Sequence, residues 1–102
     1  MPYVPVARRS DLPDNTGLCV EVAGRRIALF NLGGEIFAID DRCTHAEASL
    51  CEGMIQGDEI VCPLHMATFD IKTGACTGPP AYEDLGSYRV RLVGDDVEVE
   101  VP

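Results

Sequence analysis

The chain has 102 residues, 46% of them apolar, and a formal net charge of −9. Such a length fits one domain that folds without disulfide staples, and no apolar run approaches the roughly 20 residues needed to span a bilayer. A bulk negative charge argues against nucleic acid and anionic membrane surfaces as partners.

The opening Met1-Pro2-Tyr3-Val4-Pro5 has neither a basic start nor an apolar core, so no signal peptide is expected. A cytoplasmic setting with reduced thiols follows. Short strand signals then recur between turns. They fall at residues 3–7, 18–23, 26–31 and 35–39, with Gly24-Arg25 and Gly33-Gly34 as hairpin turns. Further strands are predicted at 59–62, 67–70, 87–93 and 97–101. In the last of these Val97, Val99 and Val101 alternate with Glu98 and Glu100, and before Gly94-Asp95 Tyr88, Val90 and Leu92 alternate with Arg89 and Arg91. No segment sustains a helical period, so helix is limited to single turns near 10–13 or 47–50. The prediction is an all-β fold, a small antiparallel sandwich or barrel.

The strand pattern breaks between residues 41 and 81, where both histidines, four of the five cysteines and Gly78-Pro79-Pro80 fall. This stretch reads as a cluster-binding subdomain, residues 43–80, inserted into a β base made of 1–42 and 81–102. Together they form a single domain. Cys19, inside Leu18-Cys19-Val20-Glu21-Val22, is expected to pack as a small core hydrophobe, and so are Cys51 and Cys76.

The remaining two cysteines each lie beside a histidine, as Cys43-Thr44-His45 and Cys62-Pro63-Leu64-His65, with sixteen residues between His45 and Cys62. In extended chain, residues two apart point the same way, so Cys43 and His45 can reach one site. Residues three apart can do so in a tight loop, which Pro63 stiffens. Gly53 and Gly57 let the chain between the pairs reverse direction. Two thiolates and two imidazoles suit either a tetrahedral Zn²⁺ or a two-iron cluster with the thiolates on one iron and the imidazoles on the other.

Cys43-Thr44-His45-Ala46, Cys62-Pro63-Leu64-His65 and Phe69-Asp70-Ile71-Lys72-Thr73-Gly74 resemble the Rieske [2Fe–2S] ferredoxin family, most closely the ferredoxin components of bacterial aromatic-ring dioxygenases. The resemblance implies one [2Fe–2S] cluster, with Cys43 and Cys62 on an inner iron and His45 and His65 on an outer, surface-near iron. It also implies that Gly78-Pro79-Pro80 is the proline loop over the cluster. Rieske proteins of respiratory and photosynthetic complexes add a disulfide between their cluster loops. The corresponding positions here are Ala48 and Leu64, so that bond cannot form. Where those proteins place a serine that donates to a bridging sulfide, this chain has Ala67. They also carry a membrane anchor, and no equivalent is expected here.

Neutral imidazoles leave the oxidised cluster uncharged overall, which raises its potential above that of a four-thiolate cluster. Few hydrogen bonds to sulfur and an acidic setting should then place it at the low end of the Rieske range, on the order of −150 mV. The function implied is one-electron transfer rather than catalysis. A flavin-dependent NAD(P)H reductase would supply the electron and a terminal aromatic-ring dioxygenase would receive it. A monomer that docks transiently is expected. Residues 43–86 hold seven acids against Lys72 alone, a plausible surface for a basic partner. Ala46, Met66, Pro79 and Pro80 would add a small apolar contact patch. The nearest alternative is a Rieske small subunit or accessory component of another reductase, such as an assimilatory nitrite reductase. A more remote one is a structural zinc module that binds a protein partner.

Overall fold

The computed structural model describes residues 2–43, 48–64, 66–79, 81 and 83–101. Among them the strands, in chain order, are β1 (Tyr3–Arg8), β2 (Thr16–Val22), β3 (Arg25–Leu32), β4 (Glu35–Asp40), β5 (Met54–Gln56), β6 (Glu59–Val61), β7 (Thr68–Asp70), β8 (Cys76–Gly78), β9 (Ser87–Tyr88), β10 (Val90–Val93) and β11 (Asp96–Glu100). Two 3-10 turns, Arg9–Asp11 and Leu50–Glu52, are the only helical pieces described. The strands form three antiparallel sheets ordered β1-β11-β10, β2-β3-β4-β9 and β5-β6-β7-β8. The fold is all-β, as the short strand signals predict. No described helix is long and apolar enough to cross a membrane.

Strand β3 explains how the sheets stack. Ile27, Ala28, Leu29 and Phe30 are all buried, a continuous apolar run that only a strand covered on both faces needs. Successive side chains point to opposite faces, so Ile27 and Leu29 enter one core while Ala28 and Phe30 enter another. The first core adds Ile36, Ala38, Val97 and Val99 and joins β3 and β4 to the β1-β11-β10 sheet. The second adds Ile39, Ile60, Phe69 and Ile71 and joins the same two strands to the β5–β8 sheet. Full burial of a side chain such as Phe30 or Phe69 contributes roughly 1.5–3 kcal/mol.

Several expectations shift in detail. The signals at 59–62 and 67–70 correspond to β6 and β7, whereas β5 and β8, their partners in the same sheet, are not among the predicted strands. The run 87–93 splits at Arg89, since Tyr88 pairs with Ala38 of β4 whereas Val90 pairs with Val99 of β11. Val97, Val99 and Val101 are buried together as predicted, but Leu92 is exposed because β10 is the edge of its sheet. The β2–β3 turn is made by Ala23 and Gly24, both at positive φ, one residue earlier than Gly24-Arg25. The second helical turn, Leu50–Glu52, begins on the last residue of the 47–50 window. Gly53 is required for close approach: a Cβ there would run into the Val61 carbonyl oxygen.

The short β9 strand is held by its tyrosine. Tyr88 donates its hydroxyl hydrogen to Asp40 Oδ1, and Arg25 Nη1 donates to the same phenol oxygen at 3.2 Å. Burial, reinforced by the bond to Asp40 and opposed by Arg25, raises the Tyr88 pKa above its ordinary value of 10.0. The folded state therefore binds the phenol proton more tightly than the unfolded chain does. That contribution is fully present below the unfolded pKa and is lost as pH rises through the folded one. Denaturant midpoints measured between about pH 9 and pH 11 should fall with pH in the parent protein and fall less steeply in Tyr88→Phe.

Candidate metal centre

Cys43 and Cys62 open two loops of the same construction. The Cys43 N–H donates to the Ala48 carbonyl at 3.0 Å, and the Cys62 N–H donates to the Ala67 carbonyl at 2.7 Å. In both loops the chain returns to the cysteine on an alanine five residues later, and both alanines are buried. The first loop leaves the end of β4 and the second leaves β6, so the second core, shared by those sheets, sets their separation. His45 and His65, together with Thr44, Ala46, Glu47 and Pro80, lie outside the described residues.

The loops bring the two thiols together in the interior. Cys43 and Cys62 are 2% and 0% exposed, and their side chains are hydrogen-bonded to each other. Burial foremost, with Cys43 adding, pushes the Cys62 thiol up to about 11, while the Leu64 backbone N–H donates to it and pulls the other way. Two adjacent buried sulfurs resist becoming thiolates unless a cation neutralises them, because an uncompensated charge in a dry interior is costly. A thiophilic metal supplies that compensation, and coordinated thiols are deprotonated outright. This donor pair therefore fits an iron–sulfur centre.

Asp41, 1% exposed, anchors the base of the first loop. Its Oδ1 accepts the Cys51 N–H at 2.9 Å, its Oδ2 accepts Ser49 Oγ–H at 2.6 Å, and Arg26 Nη2 lies 3.4 Å from Oδ2. The Leu50 N–H donates to its backbone carbonyl at 2.7 Å. Neither Asp41 nor Ser49 announces this role in the sequence, since a buried aspartate is legible only from the donors that surround it.

The expectation that Cys19 and Cys51 are separate packing residues does not hold. They are joined as a disulfide with Cα atoms 5.5 Å apart, within the usual range for such a bond. Thirty-two residues separate them in sequence, and pairing is not deducible from an odd set of five cysteines. Cys76 is a free thiol that donates to the Ala81 carbonyl at 3.0 Å, tying the two ends of the Gly78-Pro79 segment.

At the surface, Leu64, Met66 and Pro79 are exposed, Met66 by 63%. Met66 also has a φ of 64°, a left-handed conformation that a non-glycine residue adopts at a cost of roughly 1–2 kcal/mol. Of the apolar patch expected from the sequence, Met66 and Pro79 are exposed as required, while Ala46 and Pro80 fall outside the described residues. Leu64, absent from that expectation, adds to it.

Residues 2–89 match the Rieske [2Fe-2S] domain family. The chain is 43% identical over 99 residues to the 3-phenylpropionate/cinnamic acid dioxygenase ferredoxin subunit of Escherichia coli strain K12, covering 96% of this chain and 90% of that one. The ferredoxin of carbazole 1,9a-dioxygenase from Nocardioides aromaticivorans IC177 superposes with a TM-score of 0.92 at 33% identity, over 97% of each chain. A structure described as the complex of reduced oxygenase and oxidized ferredoxin in carbazole 1,9a-dioxygenase matches with a TM-score of 0.89 at 34% identity, over 95% of this chain and 91% of that one. With buried paired thiols at the starts of matched loops and a family match over most of its length, the chain belongs to the Rieske [2Fe–2S] domain family, and a [2Fe–2S] cluster is its cofactor.

Proposed function

We propose that this protein is a one-electron carrier of an aromatic-ring dioxygenase system, taking electrons from a flavin-dependent NAD(P)H reductase and passing them to a terminal oxygenase. The observation that carries the reading is the near-full-length likeness to a dioxygenase ferredoxin subunit. In this assignment Cys43 and Cys62 hold one iron and His45 and His65 hold the other. Residues 43–80 form the cluster-binding unit, and 1–42 with 81–102 form the β base. The protein works in the cytoplasm as a monomer.

When bound, the cluster accepts and releases single electrons; the chain's own residues hold it and govern access. Buried Cys43 and Cys62 keep one side dry, and Leu64 donates its N–H to the Cys62 sulfur. On the other side, exposed Leu64 and Met66 flank His65 in sequence and offer a small apolar contact. Acidic Glu52, Asp58, Glu83 and Asp84 are exposed in the same part of the chain, and Lys72 pairs with Asp58 at 3.7 Å. A shuttle has to dock and leave quickly, which suits steering by charge around a small contact better than a large tight interface.

The purified protein should be red-brown and redox-active; a colourless, redox-silent protein that holds zinc would decide for the structural zinc module. Replacing His65 with Cys adds a negative charge at the outer iron, so any surviving cluster should show a lower potential by voltammetry. An unchanged spectrum and potential would remove His65 from the ligand set.

Electron transfer to at least one partner should slow as salt rises, because the Debye length falls from about 10 Å at 0.1 M to roughly 3 Å at 1 M. Met66→Gly separates the apolar contribution from this one. It should raise thermal stability by up to about 1 kcal/mol by relieving the left-handed strain, yet slow transfer at every salt concentration by stopped-flow. Rates independent of salt with both partners, and unaltered in Met66→Gly, would place recognition elsewhere.

A further inference from the structure

We propose that Cys19 and Cys51 form a reversible disulfide that fastens the first ligand loop to the β base when the surroundings become oxidising. Cys19 lies on β2, the edge strand of the middle sheet. Cys51 lies in the 3-10 turn that ends the first loop. The bond thus spans from a strand of the base to the segment where the chain returns from Cys43. Both residues are half-buried, so small solutes can reach the sulfurs.

The surroundings hold this pair together whether or not the bond is made. Ser49 Oγ lies 3.2 Å from each sulfur, and Asp41 Oδ1 lies 3.4 Å from Cys19 Sγ. Asp41 also binds the Cys51 N–H. These contacts tie both residues to Asp41 and Ser49 as well as to each other. Arg26 Nη2 lies 3.9 Å from Cys19 Sγ and, paired with Asp41 at 3.4 Å, offsets the carboxylate that stands beside the same sulfur.

Cys19, Asp41 and Cys51 also converge closely enough to hold a metal ion. Two features argue for sulfur chemistry instead. The Asp41 carboxylate is already occupied by Ser49, the Cys51 N–H and Arg26. The Arg26 guanidinium puts a fixed cation beside the place a metal would take.

The chemistry is thiol–disulfide exchange with a low-molecular-mass disulfide. The Cys19 thiolate attacks one sulfur of that disulfide and expels a thiolate, leaving a mixed disulfide on Cys19. The Cys51 thiolate then attacks the Cys19 sulfur and expels the second. Two protein thiols are oxidised by two electrons, one disulfide is reduced to two thiols, and the two protons pass from the protein thiols to the released pair. An excess of the small thiol runs the sequence backwards. In a compartment that normally keeps thiols reduced, such a bond responds to conditions and is not a permanent staple. Closure holds the loop that carries Cys43 when oxidants threaten the cluster.

The test uses the cluster-loaded protein equilibrated in buffers of varied glutathione to glutathione-disulfide ratio. After denaturing alkylation, peptide mapping should find Cys19 joined to Cys51 at oxidising ratios and both alkylated at reducing ones, with full return between them. Iron loss to a bathophenanthroline chelator should be several-fold slower in the oxidised parent than in the reduced parent. Cys51→Ala should lose iron at the faster rate in both buffers, with Cys19→Ala as the second variant in case the first does not fold. Separate alkylation of the two cysteines at every ratio, or equal iron loss from oxidised and reduced parent, overturns the proposal. The peptide map does not depend on the electron-carrier reading, so a failure of that reading, seen as a colourless protein, remains distinguishable.

Discussion

Two sulfurs lie side by side in a dry interior, and everything around Cys43 and Cys62 follows from that. Burial, with Cys43 beside it, makes the Cys62 thiol harder to ionise than a thiol in water. With a ferric centre the same burial becomes useful, because weak screening strengthens the attraction between thiolate and metal. The loops therefore do not need to be charged or polar near the sulfurs. At the return points of both loops the chain places a buried alanine, Ala48 and Ala67. The Leu64 N–H donates to the Cys62 sulfur.

Holding the loops in place falls to the base beneath them. The first loop grows from the end of β4, and its return is fixed by Asp41, which satisfies the Leu50 backbone through its carbonyl and the Cys51 backbone through its carboxylate. A carboxyl group 1% exposed would be costly to bury alone, but two donors and an arginine surround it. The second loop rises from packing: Ile60, Phe69 and Ile71 lie fully buried against Phe30 and Ile39. One loop is thus held by hydrogen bonds to a charge, the other by apolar contact.

How much of this was legible beforehand depends on the range of the interaction. Strands such as 26–31 and 97–101 carry their own signature, because a half- or fully-buried strand writes its environment into two-residue or continuous apolar patterning. The cysteine–histidine pairs are equally local, two or three residues apart, and so stand out. What the chain conceals is non-local. Nothing in Asp41 or Ser49 taken singly says that each lies under the Cys43 loop, and Cys19 looks like its apolar neighbours until β2 is laid beside Cys51. β8 is concealed for a different reason: Cys76-Thr77-Gly78 has little strand propensity, and its pairing with β7 comes from the proximity of the segment that follows.

The two-sided burial of β3 has a consequence for how the molecule comes apart. Ile27 and Leu29 belong to the core of the base, while Ala28 and Phe30 belong to the core that supports the metal loops. A single strand is thereby a wall common to both compartments. Neither compartment can open without leaving the opposite face of the same backbone unsupported. The stability of the core beneath the Cys43 and Cys62 loops is for this reason coupled to that of strands on the far side of the domain.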